Sequence, residues 1–248
     1  MPSRLLAQAM GGMSSTTYRW ALPLYLTGSS WNTSLHVKNM SSSSEGVTLL
    51  FRDASGKMIK RLHSVIPAAS VQDLDLAPLI SNATDSPGPL VGSVIVVQDN
   101  SMGAPALSGS AELTQSSLGS RTISIVELLS RIEDIPMSAW VGAYTDSGSG
   151  NITVITSTKQ VQQTIIGDCS LRGGGVQQLR VPLEPHHTAI LMDCELQTEG
   201  KWPAMRGGPR ASGSTLVRLI ESDAMGFSVF GLQLGSGVPV PFTLSSGR

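Results

Sequence analysis

Charge is scarce in this chain. Charged residues make up 14% of the 248 positions, and the formal net charge is −1 with Lys and Arg scattered rather than clustered. No basic stripe of the kind that follows a phosphate backbone or an anionic membrane is present, so no nucleic acid partner is expected. Aromatic residues are scarcer, at 4%, which argues against a row of side chains stacking on sugars. Cysteine occurs twice, at Cys169 and Cys194, and two thiols without a nearby ligand cluster exclude a zinc site of the usual kind. Long apolar runs are missing too. The longest, around Val94 to Val97, has the length of a strand and falls far short of the roughly 20 residues of a spanning helix, so no membrane span is expected.

Ser, Thr, Gly and Gln must therefore cover much of the surface, a polarity without charge that suits an exported protein. The best-defined segment runs from Trp31 to Asn39, where Thr33, Leu35 and Val37 share one face and Ser34, His36 and Lys38 the other. Val47 to Phe51, the turn Asp53 to Lys57, Met58 to Ile66, Val71 to Leu76 and Gly92 to Val97 follow as strand, turn and strand, with no helical period between them. Tyr18 to Leu26, interrupted by Pro23, is expected as an edge strand, because proline cannot donate to a ladder. Val94 to Val97, without a polar break, is expected at the centre of a sheet. Ile125 to Ile132 fits either a short amphipathic helix or a strand, packed between modules in either case.

The same order of segments recurs about 120 residues later. Trp140 to Tyr144 matches Trp20 to Leu24, Asn151 to Thr156 matches Asn32 to Val37, Pro185 to Asp193 matches the stretch from Pro67, and Gly213 to Leu219 matches Gly92 to Gln98. The expected fold is all-β: two tandem antiparallel β-sandwich domains related by internal duplication. The boundaries are a disordered tail or remnant signal over 1–17, a first module over 18–115, a connector over 116–138, a second module over 139–235 and a C-terminal tail over 236–248.

The alternation from Trp31 to Asn39, the Phe51 to Gly56 step, Pro67 to Leu76, Gly92 to Val97 and the ending Gly226 to Phe230 together resemble the Ig-like β-sandwich modules of uncharacterised secreted bacterial proteins. The resemblance spans about Trp20 to Leu234. It implies export, tandem display on a surface and adhesion to a protein or glycan, with no catalytic residues and no cofactor to carry across. The sequence departs from that pattern in two places: the N-terminus lacks a clear signal, and Gly150 stands where the second copy should have its tryptophan.

Few residues point to chemistry. Glu184, His186, His187 and Asp193 form the densest set of potential metal ligands, but adjacent histidines on a strand face opposite ways, so a loop pair is expected and no metal. His36 and His63 read as solvated side chains, and Asp73 and Asp75 as a solvated face. Ser108 and Ser149 lie beside glycines without the strand-to-helix elbow of a hydrolase, and Gly173 to Gly175 lacks the Lys and Ser or Thr of a phosphate loop, so no enzyme is expected. Asn32, Asn39, Asn82 and Asn151 lie in glycosylation sequons, which a chain this rich in Ser and Thr forms readily. Cys169 and Cys194 align with the apolar positions Phe51 and Leu76, so two small core residues is the first reading and a disulfide the second. The resulting expectation is a non-catalytic secreted or cell-surface structural or adhesion module with Trp202 as a candidate contact. The alternative is a carbohydrate-binding or accessory domain of an extracellular hydrolase.

Overall fold

The computed structural model describes residues 17–80, 89–99, 104–116, 122–128, 130–132, 138–145, 150–170, 175–192, 194–197, 213–221, 226–234 and 240–242. They form antiparallel β-structure with one short helix. The first half contributes β1 (Arg19–Thr27), β2 (Trp31–Asn39), β3 (Glu45–Asp53), β4 (Met58–Ile66), β5 (Val71–Asp75), α1 (Leu76–Ile80), β6 (Leu90–Gln98), β7 (Leu107–Ser116), β8 (Thr122–Leu128) and β9 (Ser130–Arg131). The second half contributes β10 (Ser138–Thr145), β11 (Gly150–Ser157), β12 (Gln163–Ser170), β13 (Val176–Leu183), β14 (Thr188–Met192), β15 (Glu195–Leu196), β16 (Gly213–Glu221), β17 (Phe227–Leu234) and β18 (Val240–Phe242).

Four sheets result. Sheet A has the order β4-β3-β6-β1-β9, sheet B β5-β2-β7-β8, sheet C β10-β16-β12-β13 and sheet D β15-β14-β11-β17-β18. Strand for strand, β4-β3-β6-β1 in the first half has the same order as β13-β12-β16-β10 in the second, and β5-β2-β7-β8 the same as β14-β11-β17-β18. β3 and β4, β7 and β8, β12 and β13, β14 and β15, and β17 and β18 are joined as neighbours, while the other connections cross between sheets. An immunoglobulin constant-type domain keeps its first two strands in one sheet. Here β1 and β2 lie in different sheets, as do β10 and β11.

The sequence explains the pairing faces. Along β2 the alternate residues Trp31, Thr33, Leu35, Val37 and Asn39 are buried, and they meet Leu49, Phe51, Val94 and Val96 of sheet A in one core. Phe51 alone, fully buried, contributes roughly 1.5–3 kcal/mol by leaving water. A second core holds Ile155, Ile165, Cys169, Leu179, Val181, Leu183, Leu191 and Phe227.

One segment differs from expectation, and another settles on one of its two readings. β1 is not an edge strand, because β6 pairs with one side and β9 with the other, and its residues from Trp20 to Thr27 are buried. Pro23 is accommodated by a register shift between Leu22 and Tyr25, which removes the need for its missing N–H. Of the 125–132 segment, the part within β8 is strand, as the second of its two readings had it: β8 pairs with β7 and β9 with β1, so both complete sheets of the first half. Within the expected C-terminal tail, Val240–Phe242 pairs with β17.

The sandwiches dock through sheets A and D. By alternation after the β1 irregularity, Leu24 and Leu26 face away from the first core. They belong to the same buried cluster as Ile152, Val154, Ile190 and Phe230 of sheet D. Val154, Ile190 and Phe230 form one cross-strand row on the outer face of that sheet. The sequence match of Asn151 to Thr156 with Asn32 to Val37 equates Val154 with Leu35, a core residue of the first half. The structure gives the core position in the second half to Ile155 instead, a one-residue difference that exchanges the two faces of the strand.

Candidate functional site

The turn joining β3 to β4 is built by Asp53 and Gly56. Asp53 Oδ1 accepts from the Lys57 N–H at 3.0 Å and the Ser55 hydroxyl at 2.6 Å, and Gly56 takes φ +82°, which a side chain would resist. This turn meets the 184–187 loop of the second half. A Cβ on Gly56 would lie 2.3 Å from the Pro185 carbonyl oxygen, and the Thr188 N–H donates to Ala54 O at 2.9 Å. One strand over, Thr156 Oγ1 donates to the Pro23 carbonyl at 2.8 Å and lies 2.9 Å from Thr188 Oγ1. The junction is therefore polar at its rim and apolar at its centre.

His186 and His187 sit in this loop, as expected from sequence, and are half-buried. His186 has φ +59°. Burial pushes its pKa below the ordinary value, and the Arg52 and Arg19 guanidiniums push in the same direction. Burial also lowers His187, against the opposing pull of Glu184 and Asp53. The Nδ1 atoms of both are buried without a hydrogen-bond partner. Among the described residues no group of three or more His, Cys, Asp or Glu converges on a point that could hold a metal ion.

The other histidines are not isolated. His36 Nδ1 lies 2.6 Å from Asp73 Oδ1, and Ser110 stands opposite His36 on β7, so Asp73, His36 and Ser110 form a row across three strands. The row carries the residue types of a nucleophilic triad but not the surroundings. It lies on the outer face of sheet B, where the backbone N–H groups of the central strand β2 are committed to its ladders with β5 and β7. His36 and Asp73 form a hydrogen-bonded pair on the exposed side of that sheet. His63 Nδ1 meets Thr48 Oγ1 at 2.9 Å, and Thr48 donates to Asp99 Oδ1 at 2.6 Å. Both arrangements escaped the sequence because His36 is 37 residues from Asp73 and Thr48 is 51 residues from Asp99. The strand alternation did carry a signal, however, since it places His36 and Asp73 on outward faces of neighbouring strands.

Cys169 and Cys194 are joined as a disulfide, with Cα atoms 6.0 Å apart, inside the second core. Their counterparts Phe51 and Leu76 are fully buried in the first core. Asn39 is also fully buried, and its amide nitrogen donates to the carbonyls of Ser43, Ile66 and Pro67, so this sequon cannot carry a glycan. Trp202 and the Gly173 to Gly174 step lie outside the described residues. Trp20, Tyr25, Trp31, Phe51, Phe227 and Phe230 are buried. No family model, curated protein or solved structure matches this chain.

Proposed function

We propose that the chain is an internal duplication of a two-sheet β-sandwich and serves as a non-catalytic structural or adhesion module, secreted or displayed at a cell surface. The shared strand order of the two halves supports the duplication. With most connections crossing between two sheets, each unit is closer to a jelly roll than to an immunoglobulin domain. The observation that carries the location is the buried Cys169–Cys194 disulfide, a bond that persists in oxidising compartments and is rare in a reducing cytosol. The docked sheets A and D support a rigid spacer rather than two flexible beads. A sugar-binding reading has less support, because the buried aromatics named above offer no stacking surface.

The test is thiol titration, with and without denaturant, of protein recovered from separated fractions of its native cells. The reading expects the protein outside the cytoplasm with no free thiol in either titration. Two titratable thiols in protein from the cytoplasmic fraction would overturn it.

A further inference from the structure

The outer face of sheet A carries a pocket of about 260 Å³ that the structural reading above does not use. Its floor is apolar, made by Leu50, Val97 and Met58. Cross-strand register sorts the polar groups around that floor: Arg52 pairs with Met58 on one side and Ser93 on the other, Arg61 stands opposite Leu50, and Thr48 stands between His63 and Val97. Arg52 thus lies at one end, Arg61 beside Leu50 in the middle, and Thr48 with Asp99 at the other end.

The two ends differ in what they still need. Asp99 is already engaged, by the Thr48 hydroxyl at 2.6 Å and by His63 at 3.7 Å. Arg52 donates from Nη1 to the Gly56 carbonyl at 2.8 Å, which leaves its Nε–Nη2 edge, the fork that holds a carboxylate in bidentate fashion. Its Nε is buried and has no acceptor, and beside it Ser93 Oγ, in a side chain 1% exposed, is also unpartnered. A buried donor without an acceptor is costly, and Nε can only donate, so the missing group is an acceptor. Burial weakens the solvation of the Arg52 cation as well, which favours an anion at that end.

We propose that this pocket binds a small organic carboxylate with a short apolar body, its carboxylate held by Arg52 and Arg61 and its body resting on Leu50, Val97 and Met58. Phosphate would meet the arginines but leave the floor bare, and a neutral alcohol would cover the floor but leave the arginines unsatisfied. The inference is independent of where the protein is displayed.

Hexanoate titrated into the full chain, followed by calorimetry, tests it against hexanol and inorganic phosphate. Saturable hexanoate binding is expected, with both controls at least about tenfold weaker: hexanol through loss of a charged hydrogen bond, phosphate through loss of about two buried methylenes. Arg61→Gln, at an exposed position, should weaken hexanoate about tenfold without moving the unfolding midpoint. Arg52→Gln should weaken it at least as much. Absence of saturable hexanoate binding, equal affinity for hexanol, or undiminished binding by Arg61→Gln would each overturn the proposal.

Discussion

The two halves share a strand order and differ in what their outer faces do. In sheet B, the centre of the outer face is the row Asp73, His36, Ser110, polar and open to water. The same place in sheet D is the row Ile190, Val154, Phe230, apolar and covered. A strand with one polar and one apolar face closes a single sandwich. When both faces are apolar, as on β11, the sandwich must bury the second face on something else, and here that is sheet A of the first half. The cores differ as well, since the first is closed by Phe51 and Leu76 and the second by a disulfide at the matching places.

The largest effect should come from making the two outer faces alike. Val154→Asp places a carboxylate in a fully buried site and should cost about 3–5 kcal/mol in urea unfolding. His36→Val, at the corresponding exposed place, should change stability by less than about 1 kcal/mol. Equal costs would mean that the face of sheet D is not buried as described.

Removing the disulfide should come next. Cys169→Ala with Cys194→Ala opens a link between residues 25 apart and should lower stability by about 2–4 kcal/mol, measured by the same unfolding assay with the unreduced parent as reference. A loss confined to the second half would separate the two cores, whereas a loss shared by both would show them coupled.

Two glycines sharpen the junction further. Gly28 has φ +83° and open space where a Cβ would go, so Gly28→Ala should cost only the left-handed penalty of about 1–2 kcal/mol. Gly56 has φ +82° with Pro185 in the way, so Gly56→Ala should cost a further 1–3 kcal/mol or so from overpacking. The difference between the two midpoints isolates the contact between halves.

The smallest effect is on pH dependence. The folded-state pKa values of His186 and His187 lie below the ordinary value of 6.5, so the unfolded chain binds more protons as pH falls. Stability from these groups is present in full above about pH 6.5 and declines as pH drops through the lowered values. His186→Gln with His187→Gln should flatten that part of the stability profile, and an unchanged slope would place its origin elsewhere.

Much of the strand layout was legible, because alternation along β2 and the apolar run of β6 state their own faces. The turn at Asp53 to Gly56 was legible from its residues alone. Pairing across sheets was not: nothing local tells β1 that β9 will cover its second edge, or His36 that Asp73 will stand beside it. The face of β11 was misassigned because Ile152, Thr153, Val154 and Ile155 are apolar enough to fit either parity, and docking against the first half decided between them. The placing of Arg52 and Arg61 around Leu50 and Met58 was equally hidden, since only the β3–β4 register brings them together.

The claim that the two sandwiches are one cooperative body is tested most directly by labelling Trp20 and Trp31 with fluorine and following their NMR signals through urea unfolding, before and after reduction of the Cys169–Cys194 bond. Both tryptophans belong to the first core and the bond to the second. Docking through sheets A and D predicts that reduction shifts the unfolding of both tryptophans to lower urea, together with the second half. Tryptophan transitions that stay in place while the reduced second half unfolds beneath them would contradict it.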